Sequence, residues 1–242
     1  MARTRKRRNT RRQRGGSEAH TVVLIEPRKS KAIPLVVKNM LENLDASWKM
    51  IIFHGTRNGE WLKKLLTEKL KDYAPRITLI DLKRDNLDID AYNKLMMSRE
   101  ILDQIPTEVF LVVQTDSIIC KKSAHILKEF MKYDYVGAPW AGRDGVGNGG
   151  FSLRRKSMML KIVEKCPTLN HNEDGFFSGG CDGAHPHKPS FKEAKRFSIE
   201  TEYNGESFGI HKPWAHLPDK NAELSAQCEG YDELKGLQGQ EE

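Results

Sequence analysis

Val109-Phe-Leu-Val-Val113 is the most apolar run of the chain, and the polar residues Gln114, Thr115, Asp116 and Ser117 follow it directly. A short, fully apolar run rich in β-branched residues is typical of a strand buried on both faces of a parallel sheet. In such sheets, ligands bind beyond the carboxyl ends of the strands. Residues 114–117 are therefore predicted to contact a ligand, with the Asp116 carboxylate pointing into the crevice.

Strand-like runs and segments of helical spacing alternate through the first half of the chain. The strand-like runs that precede residue 109 are 21–25, 50–54 and 77–80. The segments of helical spacing are 32–44, 58–70 and 91–105. This alternation predicts one α/β domain with a central, mostly parallel sheet flanked by helices. After Asp116 the alternation becomes irregular, and we expect an irregular C-terminal half.

The earlier strand-like runs also end in polar residues. Glu26 follows the run 21–25, and His54 ends the run 50–54. Because parallel strands bring their carboxyl ends to one edge of a sheet, Glu26 and His54 are predicted to contact the same ligand as residues 114–117.

The net charge of +7 belongs to one end of the chain. Residues 1–14 hold eight of the 40 basic side chains and no acidic one, whereas the remainder holds 32 basic and 33 acidic residues. A segment with almost no apolar side chains cannot offset its ordering entropy by burial. We therefore expect a disordered basic tail at 1–19, a folded domain at 20–220, and a polar, acidic C-terminal tail at 221–242.

The role of the basic tail is left open between three alternatives. Residues 1–14 have the composition to contact a polyanion such as a nucleic acid, through release of condensed counterions. They also suit a localisation signal, or a solubilising tail without a dedicated partner. Because the rest of the chain is nearly neutral, nucleic-acid binding is expected of the tail alone.

The apolar segments are too short for a membrane protein, and the cysteines are too sparse for a disulfide scaffold. No stretch approaches the roughly 18–20 consecutive apolar residues that span a bilayer, and no apolar run follows the basic N-terminus as in a secretory signal.

The four cysteines, at positions 120, 166, 181 and 228, form no C-x-x-C pair. We expect four reduced thiols and a cytoplasmic location.

Asp116 and the glycine-rich segment 145–150 each admit two interpretations. An acidic residue after a buried strand suits a divalent cation that bridges diphosphate oxygens, but it also suits a helix N-cap. Gly145-Val-Gly-Asn-Gly-Gly150 has the spacing G-x-G-x-x-G, yet it precedes a strand-like run rather than a helix, which argues against dinucleotide binding. We interpret it as a loop whose glycines let backbone approach a ligand, or as an ordinary hairpin loop.

The C-terminal half contains an acidic pair and a late histidine. Glu173 and Asp174 precede two phenylalanines, where a carboxylate is able to take a proton from a hydroxyl group or simply to favour a helix N-terminus. His211 is a candidate metal ligand, and Trp214 a candidate sugar platform. The spacing of Cys181, His185 and His187 matches no strong zinc pattern.

Taken in order, these motifs resemble the GT-A class of glycosyltransferases. More closely, they are similar to a family of uncharacterised GT-A-like domains found in microbes and large DNA viruses. The segments that carry the resemblance, which covers residues 20–217, are Gln114-Thr-Asp-Ser117, Val136-Gly-Ala-Pro-Trp140, Gly147-Asn-Gly-Gly-Phe-Ser-Leu-Arg154, Glu173-Asp174 and His211.

The resemblance implies a role for each matching position. Asp116 would be the last acid of the metal motif and His211 the late histidine ligand, both on Mn²⁺ or Mg²⁺. Glu173 and Asp174 would be the catalytic pair, with Asp174 as the base on the acceptor side. Gly149 and Gly150 would line the donor or acceptor sugar. Gln114 replaces the first acid of the usual motif, so the protein gives the cation less charge.

The resemblance thus predicts a glycosyltransferase. Its donor would be a nucleotide-diphosphate sugar, and its acceptor a hydroxyl group of a glycan, a protein or a small molecule. One alternative is a non-catalytic module that binds a nucleotide sugar, and another is a polyanion binder acting through residues 1–14.

Overall fold

A computed structural model describes residues 18–142, 145–166 and 172–242. The predicted disordered tail at 1–19, apart from its last two residues, lies outside the described residues. The predicted polyanion contact of residues 1–14 lies outside them as well.

The strands of the described residues form two sheets. They are β1 (His20–Ile25), β2 (Trp48–His54), β3 (Ile77–Asp81), β4 (Val109–Val113), β5 (Ser117–Ile119), β6 (Tyr135–Val136), β7 (Phe151–Arg155), β8 (Ser198–Ile199) and β9 (Gly209–His211). The larger sheet has six strands in the order β3-β2-β1-β4-β7-β6. Its first four strands are parallel, and β7 and β6 each pair antiparallel with their neighbour. The smaller sheet has the order β5-β9-β8.

Helices cover both faces of the larger sheet. They are α1 (Ile33–Asn43), α2 (Gly59–Glu68), α3 (Ile89–Met96), α4 (Arg99–Leu102), α5 (Leu127–Phe130), α6 (Lys156–Lys165), α7 (Glu173–Gly179), α8 (Phe191–Phe197), α9 (Asn221–Gln227) and α10 (Tyr231–Gly236). Successive residues of β1 belong to different clusters of apolar side chains: Val22 lies in the cluster that contains Met40 of α1, and Val23 in the cluster that contains Ile162 of α6. The central strands are buried on both faces, as the apolar runs predicted, and the predicted fold class is confirmed.

The register of the parallel strands places the predicted ligand-binding residues side by side. Leu24 of β1 lies opposite Val113 of β4, so the residues that follow, Glu26 and Gln114, leave the sheet at the same edge. Glu26 is fixed there by a backbone hydrogen bond that its N–H donates to Phe53 of β2.

The predicted tail at 221–242 is wrong, because this segment belongs to the folded unit. It forms α9 and α10, whose apolar residues Leu224, Tyr231 and Leu234 are buried in the main core. Its acidic residues lie on the outer surface, so an overall polar composition conceals an apolar face at helical spacing. Beyond α10 the chain runs along the loop after β1, where Lys31 N–H donates to the Gln240 carbonyl.

The prediction of four reduced thiols is also wrong. Disulfides join Cys120 to Cys228 and Cys166 to Cys181. The first links α9 to the chain after β5, across 108 residues, and the second connects the ends of the segment that contains α7. Disulfides are rare in the reducing cytosol, so the pairing gives no support to the predicted cytoplasmic location. Among the described residues, no helix has both the length and the apolar character needed to cross a membrane.

Candidate functional site

A cavity of about 490 Å³ opens at the carboxyl ends of β1 and β4. Its walls come from these strand ends, the segment 86–93, the loop 148–150, the start of α7 and the end of β9. It brings together most of the residues predicted from the sequence, namely Glu26, Gln114, Thr115, Asp116, Gly149, Gly150, Glu173, Asp174 and His211.

Two of the predicted ligand contacts lie outside this lining. His54 is buried, with its Nδ1 2.8 Å from the Gly55 carbonyl oxygen and its ring against Gly59 at the start of α2. Ser117 is fully buried, and its hydroxyl donates to the Gly150 carbonyl at 3.1 Å. Both side chains therefore support the backbone around the cavity rather than face it.

The smaller sheet brings Asp116 and His211 together. Ser117 of β5 pairs with His211 of β9, and the Lys212 N–H donates to the Asp116 carbonyl at 3.0 Å. As a result, His211 Nε2 lies 3.3 Å from Asp116 Oδ1, and both side chains are largely buried. The predicted neighbourhood of these two residues is thus present in the structure.

His211 sits at the centre of a chain of polar contacts. Its Nε2 also lies 3.2 Å from Gln114 Oε1, and its Nδ1 lies 3.2 Å from Glu200 Oε1. Burial alone would lower the pKa of His211, but the contacts with Asp116 and Glu200 outweigh it and raise the pKa to about 9. Burial would likewise raise the pKa of Asp116, yet His211 and Lys212 hold it below its usual range.

Asp116 has the properties of a ligand for a hard divalent cation. Although Oδ1 is within ion-pair distance of His211, it is buried and accepts no well-aligned hydrogen bond among the described residues. Gln114 Oε1 and His211 Nε2 converge on the same point. No group of three His, Cys, Asp or Glu side chains in the described residues is arranged to hold a metal. One carboxylate, one amide oxygen and one imidazole would therefore leave most positions around a hard divalent cation to other ligands.

Two cationic side chains that the motifs did not indicate also line the cavity, Arg28 and Lys212. Arg28 binds Glu26 with two hydrogen bonds of 2.8 Å, and Thr115 Oγ1 lies 3.5 Å from the same carboxylate. Lys212 adopts φ 46°, a left-handed conformation that non-glycine residues rarely take and that often marks functional sites. Arg28 and Lys212 thus bring positive charge to a cavity otherwise lined by carboxylates, Asp116 among them.

Glu173 and Asp174 are adjacent in sequence but differ in surroundings. Glu173 is buried, and both of its oxygens accept hydrogen bonds from Arg154, at 2.7 and 3.1 Å. Its backbone N–H donates to Asn93 Oδ1 of α3. Asp174 makes no ion pair in the described residues, and burial and the charge of Glu173 raise its pKa. Asp174 is thus the carboxylate suited to proton transfer, while Glu173 anchors the start of α7.

The loop 148–150 approaches these groups so closely that it has no space for side chains at two positions. A Cβ on Gly149 would overlap the Glu173 carboxylate, and a Cβ on Gly150 would overlap the imidazole of His211. Asn148 holds the loop in place, because its Oδ1 accepts from the Gly150 N–H at 3.1 Å. Gly149 and Gly150 therefore permit close approach of the loop to Glu173 and His211, and the predicted approach of the glycine loop to a ligand stays a prediction.

The structure gives Trp214 and the candidate zinc residues no place in the cavity. Trp214 packs on Tyr231 of α10, with ring centroids 5.9 Å apart. Cys181 is bonded to Cys166 and forms no metal-binding group with His185 and His187.

Residues 76–211 match a family described as a protein of unknown function, DUF5672. The chain belongs to the DUF5672 family. The matched segment, more than half of the chain, begins just before β3 and ends at His211, so it contains Asp116, the glycine loop and the acidic pair. No curated protein matches this DUF5672 chain significantly.

The DUF5672 chain has the fold of GT-A glycosyltransferases. An active-site mutant of LgtC is similar to it with a TM-score of 0.57 and 12% identity, over 90% of this chain and 95% of that one. TarS of S. aureus has a TM-score of 0.50 and 12% identity, over 90% of this chain and 69% of that one. The glycosyltransferase GlyE of Streptococcus pneumoniae TIGR4 has a TM-score of 0.51 and 12% identity, over 80% of this chain and 54% of that one. The DUF5672 chain therefore spans about half the length of GlyE.

At these identities the likeness concerns the fold alone. The resemblance to the GT-A class is confirmed at that level. The narrower resemblance to domains of microbes and large DNA viruses stays a prediction.

Proposed function

We propose that this DUF5672 protein transfers a sugar from a nucleotide-diphosphate-sugar donor to an acceptor hydroxyl group, assisted by Mn²⁺ or Mg²⁺. The observation that carries the proposal is the Asp116 carboxylate. Its Oδ1 is a buried acceptor without a well-aligned partner among the described residues, next to His211 Nε2, in a cavity at the strand ends. The GT-A fold supports the same function.

The donor diphosphate would lie between Asp116 and the two cationic side chains. Asp116 and His211 would hold the cation, and the Gln114 amide oxygen would contribute a neutral ligand. Arg28 and Lys212 would bind phosphate oxygens directly. Bound there, a divalent cation neutralises the charge that develops on the departing nucleoside diphosphate. Glu26 acts on the donor through Arg28, whose guanidinium it orients.

The acceptor would enter beside Asp174. Because its pKa is raised by burial and by Glu173, this carboxylate is a stronger base than an exposed aspartate. It would take the proton of the attacking hydroxyl group, as in an inverting transferase. Gly149 and Gly150 would leave space for the sugar between the two ends of the cavity. The acceptor would be a glycan, a protein or a small molecule.

A thermal-shift screen of nucleotide sugars, with Mn²⁺ or with EDTA, tests this function. At one hundred times its dissociation constant, a donor that binds the native state stabilises it by about 2.7 kcal/mol, which corresponds to a rise of roughly 5–10 °C in the melting midpoint. We expect this rise for one nucleotide sugar, larger with Mn²⁺ than with EDTA. Binding without hydrolysis or transfer would favour a non-catalytic module, and no binding by any nucleotide sugar would refute the proposal.

Gly150→Ala tests the close approach of the loop to His211. The new methyl group must displace the imidazole, and a shift of about 1 Å at a reacting site can lower the rate by about 10²-fold. We expect a 10- to 10²-fold lower transfer rate, on the order of that penalty, and weaker Mn²⁺ binding. Gly236→Ala in α10 is the matched control, since nothing lies within 4 Å of the added Cβ. Wild-type rates in Gly150→Ala would show that the site tolerates movement of His211.

A further inference from the structure

Glu200 is a buried carboxylate whose purpose is not explained by the reaction described above. It directly follows β8, and its side chain is 8% exposed. We propose that Glu200 is a positioning residue that holds His211 and the loop 148–150 in the arrangement required for cation binding, an inference that rests on the proposed function.

The smaller sheet sets the position of Glu200. Strands β8 and β9 are parallel, with Ile199 opposite Ile210, so the next residues along the two strands are Glu200 and His211. Both side chains turn to the cavity, and Glu200 Oε1 reaches within 3.2 Å of His211 Nδ1. The opposite ring nitrogen, Nε2, faces Asp116 and Gln114.

This arrangement determines which ring nitrogen is available to a cation. An imidazole binds a metal through the lone pair of one nitrogen, and the other nitrogen then carries the proton. The Glu200 carboxylate is placed to accept a hydrogen bond from the Nδ1–H group of His211. The unprotonated nitrogen, Nε2, is then directed at Asp116. A carboxylate in this position orients the ring and makes it a better electron donor, and its loss typically lowers metal affinity about 10- to 100-fold.

The same carboxylate oxygen also fixes the glycine loop. Asn148 Nδ2 donates to Glu200 Oε1 at 2.9 Å, and Asn148 Oδ1 accepts from the Gly150 N–H at 3.1 Å. Since Gly150 is in contact with the His211 ring, Glu200 restrains both partners of that contact. A displacement of either one would disturb the other.

Burial of the Glu200 carboxylate costs hydration free energy unless a positively charged group lies beside it. A buried carboxylate needs a charged partner to offset its lost hydration. In the described part of the chain, His211 is the basic side chain within ion-pair distance of Glu200, and a cation held at Nε2 would give the ring the positive character that this carboxylate needs. A glutamine would satisfy Asn148 and His211 as a hydrogen-bond acceptor without that cost. The charge is therefore explained by its effect on His211.

Glu200→Gln separates charge from shape, because the two side chains are nearly isosteric. Asp134→Asn is the matched control: this carboxylate lies outside the cavity and pairs with Arg155 at 3.3 Å. The measurements are Mn²⁺ affinity from the electron paramagnetic resonance of free Mn²⁺, the visible spectrum of bound Co²⁺, and the melting midpoint in EDTA.

We expect Glu200→Gln to bind Mn²⁺ about 10- to 100-fold more weakly, with an altered Co²⁺ spectrum and a melting midpoint in EDTA close to that of Asp134→Asn. Equal Mn²⁺ affinity in Glu200→Gln and the wild type would overturn this inference and leave the proposed function intact. A melting midpoint that falls together with the affinity would assign Glu200 a structural role and overturn it too. A wild-type protein that binds no Mn²⁺, either alone or with a nucleoside diphosphate, would remove the proposed metal role and this inference with it.

Discussion

Asp116→Asn is expected to lower the rate of sugar transfer at saturating donor by about 10²- to 10³-fold. The substitution keeps the size of the side chain but removes the carboxylate that Oδ1 offers to a cation. His211 and Gln114 then supply only neutral ligands, so the negative charge that holds the cation would come from the diphosphate alone. The transition state loses charge stabilisation that neither Arg28 nor Lys212 can replace.

The measurement is the turnover number at several Mn²⁺ concentrations, with the donor identified by the thermal-shift screen. Partial recovery at high Mn²⁺ would show that the variant binds the cation weakly rather than misfolds. Asp134→Asn serves as the control, because its carboxylate pairs with Arg155 away from the cavity. Unchanged donor affinity and rate in Asp116→Asn would exclude the metal role of this residue.

Glu173→Ala is expected to lower the free energy of unfolding by about 3–5 kcal/mol, because it leaves a buried guanidinium without its counter-charge. The Arg154 side chain is 1% exposed and donates both of its charge-assisted hydrogen bonds to Glu173. Without Glu173, the hydrogen-bond acceptors left to the guanidinium are the Ser152 hydroxyl oxygen and the Gly149 carbonyl oxygen. Urea unfolding with the disulfides intact measures the loss, which corresponds to roughly 10 °C in the melting midpoint.

Two further variants test the cause of that loss. Replacing both partners, as Arg154→Met with Glu173→Leu, is expected to recover much of the stability, since no charge is left buried. Glu129→Ala removes a surface partner of Arg196 and is expected to cost less than about 1 kcal/mol. If Glu173→Ala retained full stability and lost only activity, Glu173 would be a catalytic residue, as the sequence motif suggested, and not an anchor of α7.

The strands and the polar residues at their carboxyl ends were predictable because their signal is local. Buried parallel strands need continuous apolar runs, and a polar residue at the end of each run marks the edge. Helix limits were less predictable. The segment 91–105 has continuous helical spacing, yet α3 ends at Met96 and α4 begins at Arg99. Ser98 accepts from the Glu100 N–H and so caps a new helix inside the predicted one.

The candidate site was predictable only where a motif carried it. Asp116, the glycine loop and His211 have recognisable surroundings in the sequence. Arg28 and Glu200 are single charged residues without such surroundings, whereas Arg154 ends the glycine-loop motif. Each of the three has its role through a partner brought close by folding. The signal for Lys212 was its position directly after His211, but its left-handed backbone is visible only in the structure.

By itself, the sequence determined the mostly parallel central sheet and the polar residues that end its strands. These features follow from apolar periodicity, which acts over a few residues. The tertiary structure decided which polar groups face one another: Glu173 with Arg154, Asp116 with His211, and His211 with Glu200. It also decided the two disulfides and the packing of α9 and α10 on the core. The physical reason is that such pairings depend on the distance between side chains in space, which is set by the packing of the whole chain.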